Sequence, residues 1–178
     1  MLSNIACFVL LLPVFAATIA SAQSVRDLDF LIGEWDVTET ILPGSENEYR
    51  ETGVRSCAYY LDDSFIKCEA QTVVSTSGKK RTYAYLVNYD SRNGWFSATG
   101  IANDFPLHSN HRWFLDEDRK KITFVTPRNV NDDQFFRGTI EYDGKDTIVW
   151  QGWSSRFEGD KEWRWIFRDV ATRRQNQT

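Results

Sequence analysis

Short runs of β-branched and aromatic residues, separated by polar clusters, make up most of the chain after Glu34. Such runs are typical of β-strands, and the polar clusters between them are typical of turns. Arg92-Asn93-Gly94 and Tyr142-Asp143-Gly144-Lys145 carry the Asn-Gly and Asp-Gly pairs that tight hairpins prefer. The candidate strands are Trp35–Leu42, Tyr49–Leu61, Ser64–Ser75, Arg81–Tyr89, Trp95–Ala102, His111–Leu115, Lys121–Thr126, Gln134–Tyr142, Asp146–Ser155 and Glu162–Val170.

The short links between these strands predict a meander, and a meander of this length tends to close because open sheet edges invite aggregation. The sequence therefore predicts an all-β fold, a single antiparallel meander β-barrel of about 8–10 strands. Residues 23–170 would form this one domain, with Gln23–Leu31 as a short helix or turn that plugs one end. Residues 171–178 would form a polar C-terminal tail.

Two strands carry aromatic stripes at the period of two that a strand requires. Trp163, Trp165 and Phe167 share one face of the last strand, and Tyr83 and Tyr85 share one face of the fourth. Three aromatic side chains on one face must be buried somewhere, so we expect the stripes to face inward.

The hairpin Gln134–Ser155 is harder to orient, because both of its faces carry large apolar groups. One face gathers Arg137 and Trp150, and the other gathers Phe136 and Trp153. The sequence leaves open which of these faces is interior.

An interior rich in Trp and Tyr, with an occasional Arg, suits a cavity for a small, largely apolar ligand with one polar end. The predicted ligand-binding residues are Trp163, Trp165, Phe167, Trp150, Arg137, Tyr83 and Tyr85. A barrel that is simply filled by these side chains is the alternative interpretation.

The first 22 residues differ from the rest of the chain. The segment Ile5–Ala20 is uncharged, and the stretch closes with the small residues Ala20-Ser21-Ala22, a pattern typical of a secretory signal peptide and its cleavage site. The uncharged run is shorter than the ~20 residues that span a bilayer. We therefore predict export to the periplasm or the extracellular space, without stable membrane insertion of the mature chain, and an uncleaved anchor as the alternative.

Composition narrows the classes of partner. The 21 Lys and Arg residues against 25 Asp and Glu give a net charge of −4, which lacks the basic excess of a nucleic-acid binder. An aromatic content of 15% argues against disorder. We expect a folded, mildly acidic domain that does not bind nucleic acid.

Two of the three cysteines, Cys57 and Cys68, lie beyond the predicted leader. A two-residue loop at Asp62-Asp63 would place Cys57 directly opposite Cys68. Directly opposed residues have Cα atoms ~4.5–5.5 Å apart, which overlaps the range for disulfides. The register therefore predicts a structural disulfide.

The segment Phe30–Trp35 contains Gly33-Glu34-Trp35, which resembles the Gly-x-Trp that opens the first strand of lipocalin-like (calycin) barrels. With a Tyr89-Asp90 turn and a last strand of Trp and Arg, residues 28–170 resemble a lipocalin-like family of exported bacterial proteins of unknown function. In calycins an Arg of the last strand packs across this Trp. The resemblance implies that Arg168 packs on Trp35 and closes the barrel, with Arg164 as the second candidate.

The two histidines, His108 and His111, could bind a metal with Asp104 or supply an axial ligand to haem. Strand positions three apart face opposite sides, so one ion could be shared only in a loop, which Pro106 and Asn110 favour. The chain offers no third histidine and no free cysteine to complete a typical set. We therefore expect no metal and no haem.

Catalytic motifs such as Gly-x-Ser-x-Gly are missing, and the acidic runs fall in predicted turns. The expected function is binding of a small hydrophobic or amphipathic molecule without catalysis. Two alternatives stay open. One is a filled-barrel module that binds a protein partner, and the other is an enzyme with a site at the barrel mouth drawing on His108, His111, Asp104 or Arg112.

Overall fold

The computed structural model describes residues 23–126, 135–156 and 162–175, with the backbone alone for residues 105–108. Ten antiparallel strands follow one another around a closed barrel, and the last strand pairs with the first. The predicted all-β meander barrel is thereby confirmed. The strands are β1 (Gly33–Ile41), β2 (Tyr49–Tyr60), β3 (Phe65–Val74), β4 (Lys80–Asp90), β5 (Trp95–Ala102), β6 (Phe105–Leu115), β7 (Lys121–Val125), β8 (Phe135–Tyr142), β9 (Thr147–Ser155) and β10 (Arg164–Arg173).

The β2–β3 hairpin has the predicted register. Tyr59 pairs with Ile66, and Cys57 pairs with Cys68, with which it forms a disulfide across a Cα–Cα distance of 4.1 Å. The turn takes four residues instead of two, but it keeps the same centre, so the pairing is unchanged. The predicted disulfide is confirmed.

A 3₁₀-helix, Val25–Leu31, covers one end of the barrel, in the segment predicted to plug it. Its buried side chains, Val25, Leu28 and Leu31, pack on the core of the barrel. We call this end the closed end. The opposite end, where the β3–β4 and β5–β6 loops lie, is called the mouth.

The closed half of the barrel is solid. Large apolar side chains from most strands meet below the helix, and burying each of them contributes roughly 1.5–3 kcal/mol. The largest of these fully buried side chains include Trp35, Trp113, Phe96, Leu28, Ile66, Ile122 and Ile140. This half therefore supplies most of the hydrophobic stabilisation.

Two predicted boundaries are wrong. Strand β6 begins at Phe105 instead of His111, so the segment around Pro106 and Asn110 is strand and not loop. Strand β10 continues to Arg173, and Ala171 is fully buried, so the predicted tail at 171–178 begins too early. The short apolar side chain of Ala171 gave no strand signal by itself.

The predicted leader, residues 1–22, lies outside the described residues. Within the described part of the chain, no helix combines the length and apolar character needed to cross a membrane.

Candidate ligand-binding site in the barrel interior

The mouth half of the interior carries charge where the closed half carries apolar groups. Trp35 and Val37 of β1 face inward, and the alternation of a strand turns Glu39 inward after them. On β2, the same alternation from Cys57 turns Arg55 and Glu51 inward. The charged groups therefore continue the interior stripes of the core toward the mouth.

Three buried carboxylates lie side by side on adjacent strands. Glu39 pairs with Glu51 of β2 on one side and with Asp169 of β10 on the other. Only 5% of Glu39, 1% of Glu51 and 2% of Asp169 is exposed. Like charges at directly opposed positions destabilise a sheet unless other groups compensate them. We call these three residues the carboxylate row.

Two arginines and a tyrosine supply part of that compensation. Arg55, itself buried, forms an ion pair with Asp169 and donates from Nη2 to the Tyr83 hydroxyl at 3.0 Å. Arg81 Nη1 lies 3.1 Å from Glu39 Oε2 and 3.7 Å from Glu51 Oε2. The Tyr83 hydroxyl donates a hydrogen bond to Glu39. The carboxylate row with Arg55, Arg81 and Tyr83 is called the charge cluster.

Arg81, Tyr83 and Arg55 do not fully compensate the negative charge of Glu39. Burial and the neighbouring charge of Asp169 raise the pKa of Glu39 to about 7, although Arg81, Tyr83 and Arg55 act in the opposite direction. Burial also raises the pKa of Asp169 against the attraction of Arg55. Perturbed carboxyl groups of this kind are enriched at functional sites.

Several polar atoms of this region have no hydrogen-bond partner among the described residues. They are buried, and they comprise two donors and one acceptor around the charge cluster: Arg55 Nε, Trp150 Nε1 and Asp169 Oδ1. A fourth, Trp113 Nε1, lies deeper. Folded proteins pair the large majority of such atoms, so each exception needs an explanation.

A pocket of about 290 Å³ opens at the mouth beside the charge cluster. Its wall includes Glu51 and Arg81, and Arg81 Nε lies 3.2 Å from Asp104 Oδ2 in the β5–β6 turn. The remaining lining residues belong to β2, β3 and the β3–β4 loop: Tyr49, Val74, Thr76, Ser77 and Lys79. Glu51 belongs to the pocket wall although only 1% of the residue is exposed, so a small molecule in the pocket would lie against its buried carboxylate.

Trp150 separates the two halves of the interior. Its ring packs against Tyr85 at a centroid distance of 5.2 Å, Trp113 at 5.6 Å, Phe124 at 5.8 Å and Phe167 at 6.2 Å. On its other side, the Arg55 guanidinium lies 5.6 Å from the indole centroid. These aromatic rings form a floor beneath the charge cluster, which we call the aromatic floor.

Four of the predicted ligand-binding residues thus lie together inside the barrel: Tyr83, Tyr85, Trp150 and Phe167. The hairpin register settles the face that the sequence left open, because Ile140 pairs with Trp150 and both point into the core. The sequence pattern groups Arg137 with Trp150, whereas in the structure Arg137 pairs with Trp153 on the outer face, so the predicted grouping is wrong by one residue. A contact between any of the four and a ligand stays a prediction.

The other three predicted residues, Trp163, Trp165 and Arg137, do not face the interior, and that expectation is wrong. Trp165 pairs with Trp153, which pairs with Arg137 on the outer face. The Arg137 guanidinium lies 4.1 Å from the centroid of Trp163. The cause is a register shift between Trp165 and Phe167, which breaks the alternation and leaves only Phe167 inside.

The predicted packing of Arg168 on Trp35 is also wrong, as is the second candidate, Arg164. Both arginines are exposed, whereas Arg173 pairs with Trp35 and places its guanidinium carbon 4.2 Å from the indole centroid. Arg173 also donates to the carbonyl oxygens of Ile32 at 2.8 Å and Phe30 at 3.3 Å. The role that the resemblance implied is filled five positions later, because β10 extends beyond its predicted end.

The described residues of the alternative mouth enzyme, His111, Asp104 and Arg112, do not assemble into one site. His111 contacts Thr126 and Ser109, at 2.7 Å and 3.0 Å, and burial lowers its pKa to about 4. Arg112 lies over the ring of Trp95 on the outer face, and Asp104 pairs with Arg81. The side chain of His108 lies outside the described residues. Among those described, no three His, Cys, Asp or Glu side chains could hold a metal ion together.

Sequence reasoning missed the carboxylate row and Arg55. A signal was present, since counting by twos from the inward Trp35 reaches Glu39, and counting by twos from Cys57 reaches Arg55 and Glu51. Charged residues are mostly exposed in folded proteins, so alternation alone does not mark these positions as interior.

No protein-family model matches the chain, and no curated protein matches it at a significant level. Solved structures do share its fold. One is the crystal structure of Rv2717c from M. tuberculosis, with 12% identity and a TM-score of 0.61 over 85% of this chain and 97% of that one. Another is the S-type phycobiliprotein lyase CPES from Guillardia theta, with 11% identity and a TM-score of 0.59 over 87% and 95%. At these identities the likeness establishes a calycin-like barrel fold and nothing about activity.

Proposed function

We propose that the protein binds a small amphipathic molecule at the mouth of its barrel, with the polar end of the ligand at the charge cluster. One observation carries the proposal. Beside a pocket of about 290 Å³, the interior keeps charged side chains that are almost fully buried and incompletely paired. A barrel built only as a scaffold gains more stability from apolar side chains at such positions.

The rest of the interior supports the same proposal. The aromatic floor limits how deep a ligand can reach, so a small molecule would occupy the mouth half only. Barrels of this size hold one small ligand or none. We also propose that the protein works outside the cytoplasm, in keeping with its leader-like N-terminus and the Cys57–Cys68 disulfide.

Native mass spectrometry of protein purified from its own host, beside the same sample denatured, tests for a resident ligand. A surplus mass that disappears on denaturation supports the proposal and identifies the molecule.

A titration with the neutral fluorophore N-phenyl-1-naphthylamine tests the location. Val74 lines the pocket, whereas Val73 is its neighbour on the outer face, so Val74→Trp and Val73→Trp add the same bulk on opposite sides of one strand. We expect saturable binding that weakens roughly tenfold or more in Val74→Trp and stays within about twofold in Val73→Trp.

Absence of saturable binding to the native protein, or equal binding by the two folded variants, would overturn the proposed site. The first result would favour a filled barrel that binds a protein partner through outer aromatic residues such as Trp153 and Trp165.

A further inference from the structure

Among the described residues, the interior and the pocket rim of the mouth half contain more acidic than basic groups. Glu39, Glu51 and Asp169 form the carboxylate row, and Asp104 stands at the rim. Within the chain that the structure describes, the guanidinium groups that pair with these carboxylates are those of Arg55 and Arg81. Four carboxylates against two guanidinium groups leave an excess of two negative charges. The side chain of Lys79, at the rim of the pocket, reduces this excess to one.

Hydrogen bonds satisfy only part of this excess: Tyr83 donates to Glu39, and Thr72 donates from Oγ1 to Glu51 Oε2 at 2.6 Å. Asp169 Oδ1 is buried and has no hydrogen-bond partner in the described part of the chain, and Asp169 belongs to the same row as Glu51 of the pocket wall. A buried carboxylate oxygen without a donor costs about 1–3 kcal/mol or more, which adds to the cost of the negative charge in this row. Asp169 does not line the pocket, so a cation bound there would act on this carboxylate through its charge and not through a direct hydrogen bond.

The field of the row reaches the pocket itself. Burial raises the pKa of Tyr49 in the pocket wall, and the carboxylates of Glu51, Asp104 and Glu39 add to the rise while Arg81 opposes it. A phenol there resists ionisation in part because negative charge already surrounds it. A positively charged group placed at Tyr49 would be attracted by the same carboxylates.

Aromatic faces in this region already contact cations. Arg81 lies 5.1 Å from the ring centroid of Tyr83, and Arg55 lies 5.9 Å from the same centroid. Such contacts are worth ~0.5–2 kcal/mol, depending on how far they are removed from water. The walls therefore suit positive groups as well as apolar ones.

We infer that the mouth site takes a small organic cation, an amine or guanidine with an apolar tail, whose charge lies at Glu51 and Asp104 and offsets the carboxylate row. This inference rests on the proposed function and adds the chemical class of the ligand. The arginines alone would suggest an anion, but both are already paired with carboxylates.

Three compounds of the same size test it: 4-phenylbutylamine, 4-phenylbutanol and 4-phenylbutyrate, which are cationic, neutral and anionic at neutral pH. Each is titrated into the folded protein by calorimetry at pH 8. We expect the amine to bind about tenfold more tightly than the alcohol, and the carboxylate to bind most weakly.

A matched pair of variants locates the preference. Glu51→Gln removes a charge from the pocket wall, and Glu69→Gln removes one from the exposed outer face of β3. We expect Glu51→Gln to reduce the tenfold preference for the amine to about twofold, while Glu69→Gln keeps it.

The pH dependence gives a second readout. The groups that face Glu39 are Asp169, Glu51, Arg55, Arg81 and Tyr83, and with its pKa raised to about 7 Glu39 takes up a proton as the pH falls through that value. Amine binding should therefore weaken between pH 8 and pH 5.5, whereas alcohol binding should not change.

The outcomes separate the two proposals. Equal binding of amine and alcohol, tighter binding of the carboxylate, or an amine preference that Glu51→Gln leaves intact overturns the inference and leaves the proposed binding site standing. Failure of all three compounds and of N-phenyl-1-naphthylamine to bind overturns both.

Discussion

The two halves of the barrel interior bury opposite kinds of side chain, apolar in the closed half and charged in the mouth half. Below Trp150, β5 and β6 contribute Phe96 and Trp113 to a dry core. Toward the mouth, β1, β2 and β10 contribute Glu39, Glu51 and Asp169, which are just as buried. Burying apolar groups stabilises a fold, whereas burying charges costs free energy even when they are paired. The closed half therefore stabilises the fold, whereas the mouth half provides the candidate site and lowers the free energy of unfolding.

Truncating the closed half should have the largest effect. Phe96→Ala should lower the free energy of unfolding by about 3–5 kcal/mol, because it leaves a cavity in a packed core. Phe114→Ala removes the same ring from a side chain that is 43% exposed on the outer face, and it should cost about 1 kcal/mol or less. Urea unfolding followed by circular dichroism measures both, and similar losses in the two variants would contradict a core confined to the interior.

Breaking the buried ion pair between Arg55 and Asp169 tests how much free energy the buried charges of the mouth half cost. Arg55→Met should lower the free energy of unfolding by about 3–5 kcal/mol, because Asp169 is left buried without its cation. The double variant Arg55→Met/Asp169→Leu should recover most of that loss, since it removes both charges together. If the double variant were as unstable as the single one in urea, the pair itself would be a source of stability.

Removing the charge of Glu39 should stabilise the protein above neutral pH. The pKa of Glu39 is about 7 in the folded state against 4.5 ordinarily, so the folded state holds this proton more tightly than the unfolded state does. Its contribution to stability is therefore complete below about pH 4.5 and is lost as the pH rises to about 7.

Glu39→Gln should accordingly match the native protein at pH 4 and exceed it by roughly 1–3 kcal/mol at pH 8, as measured by urea unfolding. Glu141→Gln, on the exposed outer face, is the control and should show no such pH dependence. A Glu39→Gln variant that loses stability relative to the native protein between pH 4 and pH 8 would contradict a raised pKa at this carboxyl.

The smallest effect is expected at the rim of the closed end. Arg173→Met should cost about 0.5–2 kcal/mol, because it removes the guanidinium from the Trp35 ring and two bonds to backbone carbonyls. Arg168→Met, at an exposed outer position of the same strand, should change the melting temperature little. The reverse order of effects would restore Arg168 to the role that the family resemblance implied.

The sequence predicted the ten strands, the plug at Gln23–Leu31 and the Cys57–Cys68 pairing, because these depend on local patterns and on turns of fixed centre. It failed where a local irregularity changes which way side chains point. The shift between Trp165 and Phe167 turned two predicted interior tryptophans outward, and nothing in the residues themselves marks that shift.

The candidate site was predicted only in its aromatic part. Tyr83, Tyr85, Trp150 and Phe167 belong to apolar stripes, which hydrophobic periodicity detects. Glu39 and Asp169 become neighbours only when the ends of the chain meet, and a buried charge looks in a sequence like an exposed one. The pairing of β1 with β10 had to be known before the carboxylate row could be recognised.

That same pairing determines the order in which the protein can fold. Arg173 bonds to Ile32 across 141 residues, whereas Cys57 and Cys68 are only 11 apart and can meet as soon as one hairpin forms. Long-range contacts of this kind slow folding, because the intervening chain must be ordered before they form. Until β10 arrives, β1 is an unpaired edge, and an unpaired edge can recruit the strand of another molecule. A chain shortened before β10 would thus remain an open sheet with two unpaired edges, and each edge could pair with a strand of another copy.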